Sequence, residues 1–288
     1  MQNEIGIAGA GRMGTALAKR LLELGHSVTI WNRTVAGTTA AVEAGATVAA
    51  DLDALARCEI ILISLTDADA VSSVVGKLAA SGIGGRLVID MSTHLPSETQ
   101  AIAEVITSSG GEFIECPVGG TVGPALKGQL LGMAGGTSSA FARAQPILER
   151  LCKRVEHLGP VGNGARMKLA VNLPLAIYWQ TLGEALSLLG DAGVSPETAI
   201  SLIADSSAGP TVLKNRAQVI IDTLNGTDQP GTFDIAGLNK DLRLALTLAK
   251  SESRELPLAR AVEPIYKDVL NAGLGGFDGA SLTKRSST

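Results

Sequence analysis

The chain is 288 residues long, and its 24 Lys+Arg against 28 Asp+Glu leave a formal net charge of −4. That length admits one large domain or two ordinary ones, and a net-negative chain lacks the basic face a nucleic acid requires. Hydrophobic residues at 45% and charged residues at 18% exclude a disordered chain, while 3% aromatic content makes a binder that stacks bases or sugars a poor fit.

Glu4 to Ala8 is a short apolar run stopped by glycine, as expected of a buried parallel strand. Gly9-Ala10-Gly11-Arg12-Met13-Gly14 follows, then an amphipathic stretch from Thr15 to Leu24 with Gly25 as its C-terminal cap. Ser27 to Trp31 reads as a second strand. Further strand candidates are Glu59 to Ser64, Arg86 to Asp90, Glu112 to Glu115, Gln129 to Ala134 and Arg154 to His157, with helical stretches between most of them. This alternation predicts a doubly wound α/β sheet.

After the glycine-rich segment at 159–164 the chain reads as helix almost throughout. The candidates are Ala165 to Asp191, Pro196 to Asp205, Thr211 to Leu224, Leu238 to Ser251 and Leu256 to Asn271. The expected architecture is therefore a Rossmann-type nucleotide-binding domain over 1–162 and an all-helical domain over 163–288, joined by a long interdomain helix. The polar end from Thr283 to Thr288 is expected to fray.

Cys58, Cys116 and Cys152 are an odd, widely spaced set without a C-x-x-C. They argue against a disulfide framework or a zinc site and suit a reducing compartment. No apolar run reaches the roughly 18 residues of a membrane span, and Met1-Gln2-Asn3-Glu4 does not open like a signal peptide. A cytoplasmic protein with no membrane and no nucleic-acid partner is expected.

The G-x-G-x-x-G pattern is weak in isolation, but here it follows a strand and opens a helix. Gly9 permits the tight turn, Gly11 lets the backbone approach a pyrophosphate, and Gly14 lets helix and strand pack closely. The helix N-terminus favours the anion. An NAD site usually carries Asp or Glu at the end of the second strand, whereas this chain has Trp31-Asn32-Arg33-Thr34. Asn32 and Thr34 are possible donors and Arg33 a phosphate partner, which predicts NADP(H). The alternative is a solvated Arg33 and a site of dual specificity. Ser64, Leu65 and Thr66, and Ser92 and Thr93, fall at the ends of later strands, where ligands of such sheets bind.

Hydride transfer to a carbonyl needs a proton donor. His26 and His157 read as structural, and His94 as a surface residue more than a catalytic one. Lys168 and Asn172 fall four residues apart, hence on one helix face, and that face continues through Leu175 to Trp179. A lysine in so apolar a helix is either an acid–base group or a snorkelling or salt-bridged side chain. No metal-ligand spacing and no G-x-S-x-G elbow appears.

Together, Gly9 to Gly14, Asp90-Met91-Ser92-Thr93, Pro117-Val118-Gly119-Gly120, Lys168 with Asn172, and Lys240 to Ala245 resemble the β-hydroxyacid dehydrogenase family along nearly the whole chain. Trp31 to Thr34, Gly128-Gln129-Leu130 and Gly162 to Lys168 look most like its NADPH-using glyoxylate/succinic semialdehyde reductase branch. The resemblance implies Lys168 as acid in reduction, Asn172 as its hydrogen-bonding partner, and Thr93 and Lys240 beside the nicotinamide. It also implies that the loop Val118, Gly119, Gly120 and Thr121 holds a substrate carboxylate, and that the protein is a homodimer or homotetramer. Beside the resemblance, Ser92 at its strand end is a further substrate candidate, and Trp179, on the Lys168 face, is the aromatic expected to shape the substrate pocket. Two departures stand out: Gly119 replaces the family's usual serine, and Pro174 lies inside the helix, where a kink is expected. Imine reduction on the same architecture, or a non-catalytic nucleotide-binding or chromatin-associated relative, are the competing expectations.

Overall fold

The computed structural model describes residues 4–190 and 192–285. It forms two compact units that divide after Lys168.

The first unit opens with β1 (Glu4–Ala8), α1 (Arg12–Glu23), β2 (Ser27–Trp31), α2 (Thr39–Val42), β3 (Thr47–Val48), α3 (Leu52–Ala56) and β4 (Ile60–Ile63). It continues with α4 (Ala68–Ala80), β5 (Leu87–Asp90), α5 (Pro96–Ser108) and β6 (Glu112–Glu115). Then come β7 (Val118–Gly119), α6 (Val122–Leu126), β8 (Leu130–Gly136), α7 (Ser138–Leu151) and β9 (Cys152–His157). The sheet order is β3-β2-β1-β4-β5-β6-β8-β7, with β9 on β8. The first six strands run parallel, and β8 turns antiparallel to β6 and β7. Ile60 and Leu62 enter one apolar cluster and Ile61 and Ile63 the other. That two-sided burial is why β4 reads as a continuous apolar run. The two-residue strands β3 and β7 carry no period to read, and the sequence expectation lacks both.

The long helix α8 (Asn163–Ser187) contains the division between the units. It continues through Pro174, where the missing N–H leaves the Ala170 carbonyl without its helical partner. The expected end of this helix at Asp191 lies outside the described residues, as do Ser286 to Thr288.

The second unit adds α9 (Pro196–Asp205), α10 (Thr211–Leu224), α11 (Ile235–Ser251), α12 (Pro257–Asn271) and α13 (Leu282–Arg285). Ser195 caps α9 by accepting from the Thr198 N–H at 3.2 Å, and Asp234 caps α11 by accepting from the Gly237 N–H at 2.9 Å. The cap explains why α11 starts three residues before the expected Leu238. Trp179, Leu213, Ile220, Leu242 and Tyr266 belong to the apolar core of this unit. Among the described residues no helix is long and apolar enough to cross a membrane.

Candidate active site

The turn after β1 is fixed by collisions that only glycine avoids. Gly9 has φ +113°, and its N–H donates to the Trp31 carbonyl at 2.8 Å. A Cβ on Gly9 would strike the Ser64 carbonyl oxygen, and one on Gly14 would strike the Gly9 carbonyl oxygen. Gly11 differs: no heavy atom lies within 4 Å of where its Cβ would be. It is also the N-cap of α1 and offers no side chain to the first turn. The N-terminal end of α1 thus faces open space at Gly11, and a helix N-terminus suits a phosphate.

Asn32 ties the end of β2 to this turn. Its Oδ1 accepts from the Ala10 N–H at 3.1 Å, and its Nδ2 donates to the Thr34 carbonyl at 2.9 Å. The side chain that the sequence offers as a phosphate donor therefore builds the frame beside the exposed Arg33 and Thr34. Trp31 is half-buried and packs against the sheet core.

The ends of β4 and β5 are laced together. The Leu65 N–H donates to Ser92 Oγ at 3.1 Å, and Thr66 Oγ1 donates to Asp67, the cap of α4, at 2.8 Å. Asp90 accepts from the Ser92 N–H at 2.9 Å and pairs with His94 Nε2 at 3.0 Å. His94 is only 2% exposed, which corrects the expectation of a surface residue: its partner is a buried carboxylate that a sequence spacing of four could not distinguish from a neighbour on an open loop. Thr93 is half-buried beside them. His157 stacks on Phe141 at 4.7 Å and contacts the Gly136 carbonyl at 2.9 Å.

Lys168 is buried, and its Nζ donates to the Val118 carbonyl at 2.8 Å. That carbonyl belongs to β7 and begins the Val118–Thr121 loop. A Cβ on Gly119 would make ordinary contact with Leu131 at 3.5 Å, so the chain has room for the serine it lacks; Gly120, at φ +118°, does not tolerate one. Glu115, at the end of β6, accepts from the Gly162 N–H, the Gly164 N–H at 3.1 Å and the Ala165 N–H at 2.8 Å. Burial pushes its carboxyl up to about 7, opposed by the three N–H groups and reinforced by Asp90.

In the second unit, Asn172 Nδ2 donates to Asp241 Oδ2 at 2.6 Å, and Lys240 Nζ stands 3.6 Å from Asp241 Oδ1. Asn172 and Asp241 are both buried. Trp179, 2% exposed, lies in the core of this unit, edge-on to Tyr178 at 5.4 Å. The structure thus brings Lys168 to the Val118 loop and Asn172 to Lys240 through Asp241. Sequence reasoning assigned no role to Glu115, to Asp241 or to the Asp90–His94 pair. For Asp90 and Glu115 the available signal was a carboxylate closing a strand, since buried carboxylates require partners.

The cysteines are buried free thiols. Burial pushes Cys58 up to about 11 and Cys152 up to about 12, so neither has thiolate character. Among the described residues no group of three or more His, Cys, Asp or Glu stands together to hold a metal.

The family model for the NAD-binding domain of 6-phosphogluconate dehydrogenase matches residues 4–159, and that for the NAD-binding domain of NADP-dependent 3-hydroxyisobutyrate dehydrogenase matches residues 162–285. The chain belongs to the β-hydroxyacid dehydrogenase family. It is 34% identical to glyoxylate/succinic semialdehyde reductase 1 of Arabidopsis thaliana over 96% of this chain and 95% of that one. Mycobacterium tuberculosis 3-hydroxyisobutyrate dehydrogenase, solved with L-serine, superposes with a TM-score of 0.88 at 25% identity, covering 99% of each chain. Cytokine-like nuclear factor N-PAC of Xenopus tropicalis is 31% identical over 92% of this chain, which spans 49% of that relative. As a member of this family the protein is an oxidoreductase acting on the CH–OH/C=O pair, and its cofactor is NADP(H). The open space at Gly11 and the absence of a carboxylate in Trp31-Asn32-Arg33-Thr34 fit that cofactor.

Proposed function

We propose that this β-hydroxyacid dehydrogenase reduces a short aldehyde acid or keto acid, of the kind of glyoxylate or succinic semialdehyde, to the hydroxy acid. The observation that carries the reading is the buried Lys168 ammonium held on the first carbonyl of the Val118–Thr121 loop. The similarity to the Arabidopsis reductase supports the substrate class.

NADPH supplies the hydride when bound. Gly9, Ala10, Gly11, Arg12, Met13 and Gly14 would hold its pyrophosphate at the start of α1, where a helix N-terminus favours an anion. Arg33 and Thr34 take the 2′-phosphate on the frame Asn32 provides. Ser64, Leu65, Thr66, Thr93 and Lys240 contact the remainder of the cofactor. Ser92, Val118, Gly119, Gly120 and Thr121 hold the substrate carboxylate, chiefly through backbone N–H groups because Gly119 offers no hydroxyl. Lys168 gives its proton to the carbonyl oxygen as the carbon is reduced. Asn172, whose Nδ2 donates to Asp241, is the proposed hydrogen-bonding partner in the reaction.

An NADPH-oxidation panel of glyoxylate, succinic semialdehyde, methylglyoxal and a cyclic imine tests this. The two aldehyde acids are expected to turn over, and Lys168→Ala to lower kcat by roughly 10²–10⁴-fold. Exclusive turnover of the imine, which the missing serine hydroxyl at Gly119 would favour, overturns the substrate reading. A Lys168→Ala enzyme with normal rates overturns the proton donor. Free, buried cysteines support a cytoplasmic location. The exposed Leu188, Leu202 and Leu258 support a homodimer or homotetramer, which light scattering would decide.

A further inference from the structure

We propose that Glu115 is a positioning residue of the reaction: its carboxylate seats the first turn of α8 and thereby fixes the Lys168 ammonium on the Val118 carbonyl. The proposal rests on Lys168 being the proton donor.

The start of a helix has N–H groups without internal partners, and nearby Ser, Thr, Asp or Asn side chains usually satisfy them. At α8 the local polar side chain is turned away, since Asn163 Nδ2 donates to the Leu158 carbonyl at 2.7 Å. The cap comes instead from Glu115, some fifty positions earlier in the chain, through both of its oxygens. The carboxylate is also suited to the positive end of the helix. The pocket is shaped for it. A Cβ on Gly135 would strike Glu115 Oε1, and a Cβ on Gly164 would stand 3.0 Å from its Cδ while striking the Met133 carbonyl oxygen.

The same four residues then grip the helix a second time. Val118, three positions after Glu115, accepts the Lys168 ammonium, and Lys168 lies three positions after Ala165. One grip leaves a helix free to turn about the held point. Two grips from one short, buried segment fix both its rotation and its axial register, and so the position of Nζ. A displacement of about 1 Å at a proton donor is enough to cost 10²-fold in rate.

The groups facing Glu115 are few. Asp90 lies directly opposite it in the parallel register of β5 and β6, paired with His94. The Cys116 thiol is adjacent in sequence, Lys168 is on the capped helix, and on the β8 side Gly135 stands against its carboxyl. Because Glu115 is pushed up to about 7, acid adds a proton to an oxygen that has to accept N–H bonds. The grip loosens as pH falls. Stability moves the other way: a carboxyl raised above its ordinary value favours the fold when protonated and weakens it as pH rises through 7.

The experiment is a pH profile of carbonyl reduction for wild type, Glu115→Gln and Glu115→Asp, with melting temperature measured at each pH. Wild type is expected to lose kcat as pH falls through about 7 without losing thermal stability. Glu115→Gln keeps one acceptor and cannot ionise; it should lower kcat about tenfold to a hundredfold at pH 8, leave KM for NADPH within about twofold, and flatten the acid limb. Glu115→Asp, too short to reach all three N–H groups, should fall in kcat yet retain a titrating limb. An acid limb unchanged in Glu115→Gln, or a wild-type kcat in Glu115→Asp if the former fails to fold, overturns the proposal. The proton-donor reading fails separately, by a normal rate in Lys168→Ala.

Discussion

Residues 1–168 hold 23 of the 34 glycines and three of the eight aromatic rings, while residues 169–288 hold 11 glycines and five rings. The counts track two ways of building. The first unit shapes its site with backbone: turns at the carboxyl ends of strands, where Gly9 and Gly14 exist because a methyl group would strike a carbonyl oxygen. Among its described residues the second unit has no sheet to define its geometry, and it holds polar groups by side chains that reach across helices. Asn172 meets Asp241, and Tyr266 donates to the Ala176 carbonyl at 2.8 Å. A backbone site resists changes of volume, and a side-chain site resists changes of chemistry.

The sharpest break in that comparison is a pair of single methyl groups. Gly14→Ala is expected to cost about 1–3 kcal/mol of stability through forced overpacking, and to abolish measurable NADPH binding as the turn opens. Gly11→Ala meets no protein atom, so its melting temperature should stay at the wild-type value while NADPH affinity drops. Thermal melts with cofactor fluorescence titration check both. Equal destabilisation by the two would mean that Gly11 serves the fold after all.

Arg33→Ala tests an exposed side chain beside the backbone turn. A charge-assisted contact to a phosphate is worth roughly 1.5–3 kcal/mol, so KM for NADPH should rise about tenfold or more with KM for NADH almost unmoved. An equal rise for both cofactors would leave Arg33 without the 2′-phosphate.

The same contrast explains what the sequence could and could not reveal. The sheet, the glycine turn and the helical second half are local patterns: apolar runs, fixed glycine spacing and the 3.6 period. Helices α9 and α10 accordingly begin and end where the pattern places them. Lys168 and Asn172 were visible because polar residues at positions four apart interrupt an apolar helix. Their partners were not. Glu115 lies some fifty residues from the N–H groups it accepts, and Asp241 is 69 residues from Asn172. His94 shows the same limit at short range, because burial and not spacing decides what a histidine near an aspartate does. Trp179 shows the converse, as a shared helix face with Lys168 did not reveal that its ring belongs to a core.

Asp241 gives the smallest and most discriminating test, because two replacements separate acceptor from charge. Asp241→Asn keeps an oxygen for Asn172 Nδ2 and removes the negative charge facing Lys240. Asp241→Ala removes both and leaves a buried amide donor unpaired, a cost of about 1–3 kcal/mol. If hydrogen bonding fixes Asn172, Asp241→Asn should hold kcat within about threefold of wild type while Asp241→Ala loses about tenfold, a gap of roughly one hydrogen bond. If the charge on Lys240 matters more, the two variants fall together, and KM for NADPH rises with them because Lys240 is no longer held. Steady-state kinetics on NADPH and the carbonyl substrate distinguish the cases. The first outcome makes the second unit's site a matter of hydrogen-bond geometry, and the second makes it electrostatic.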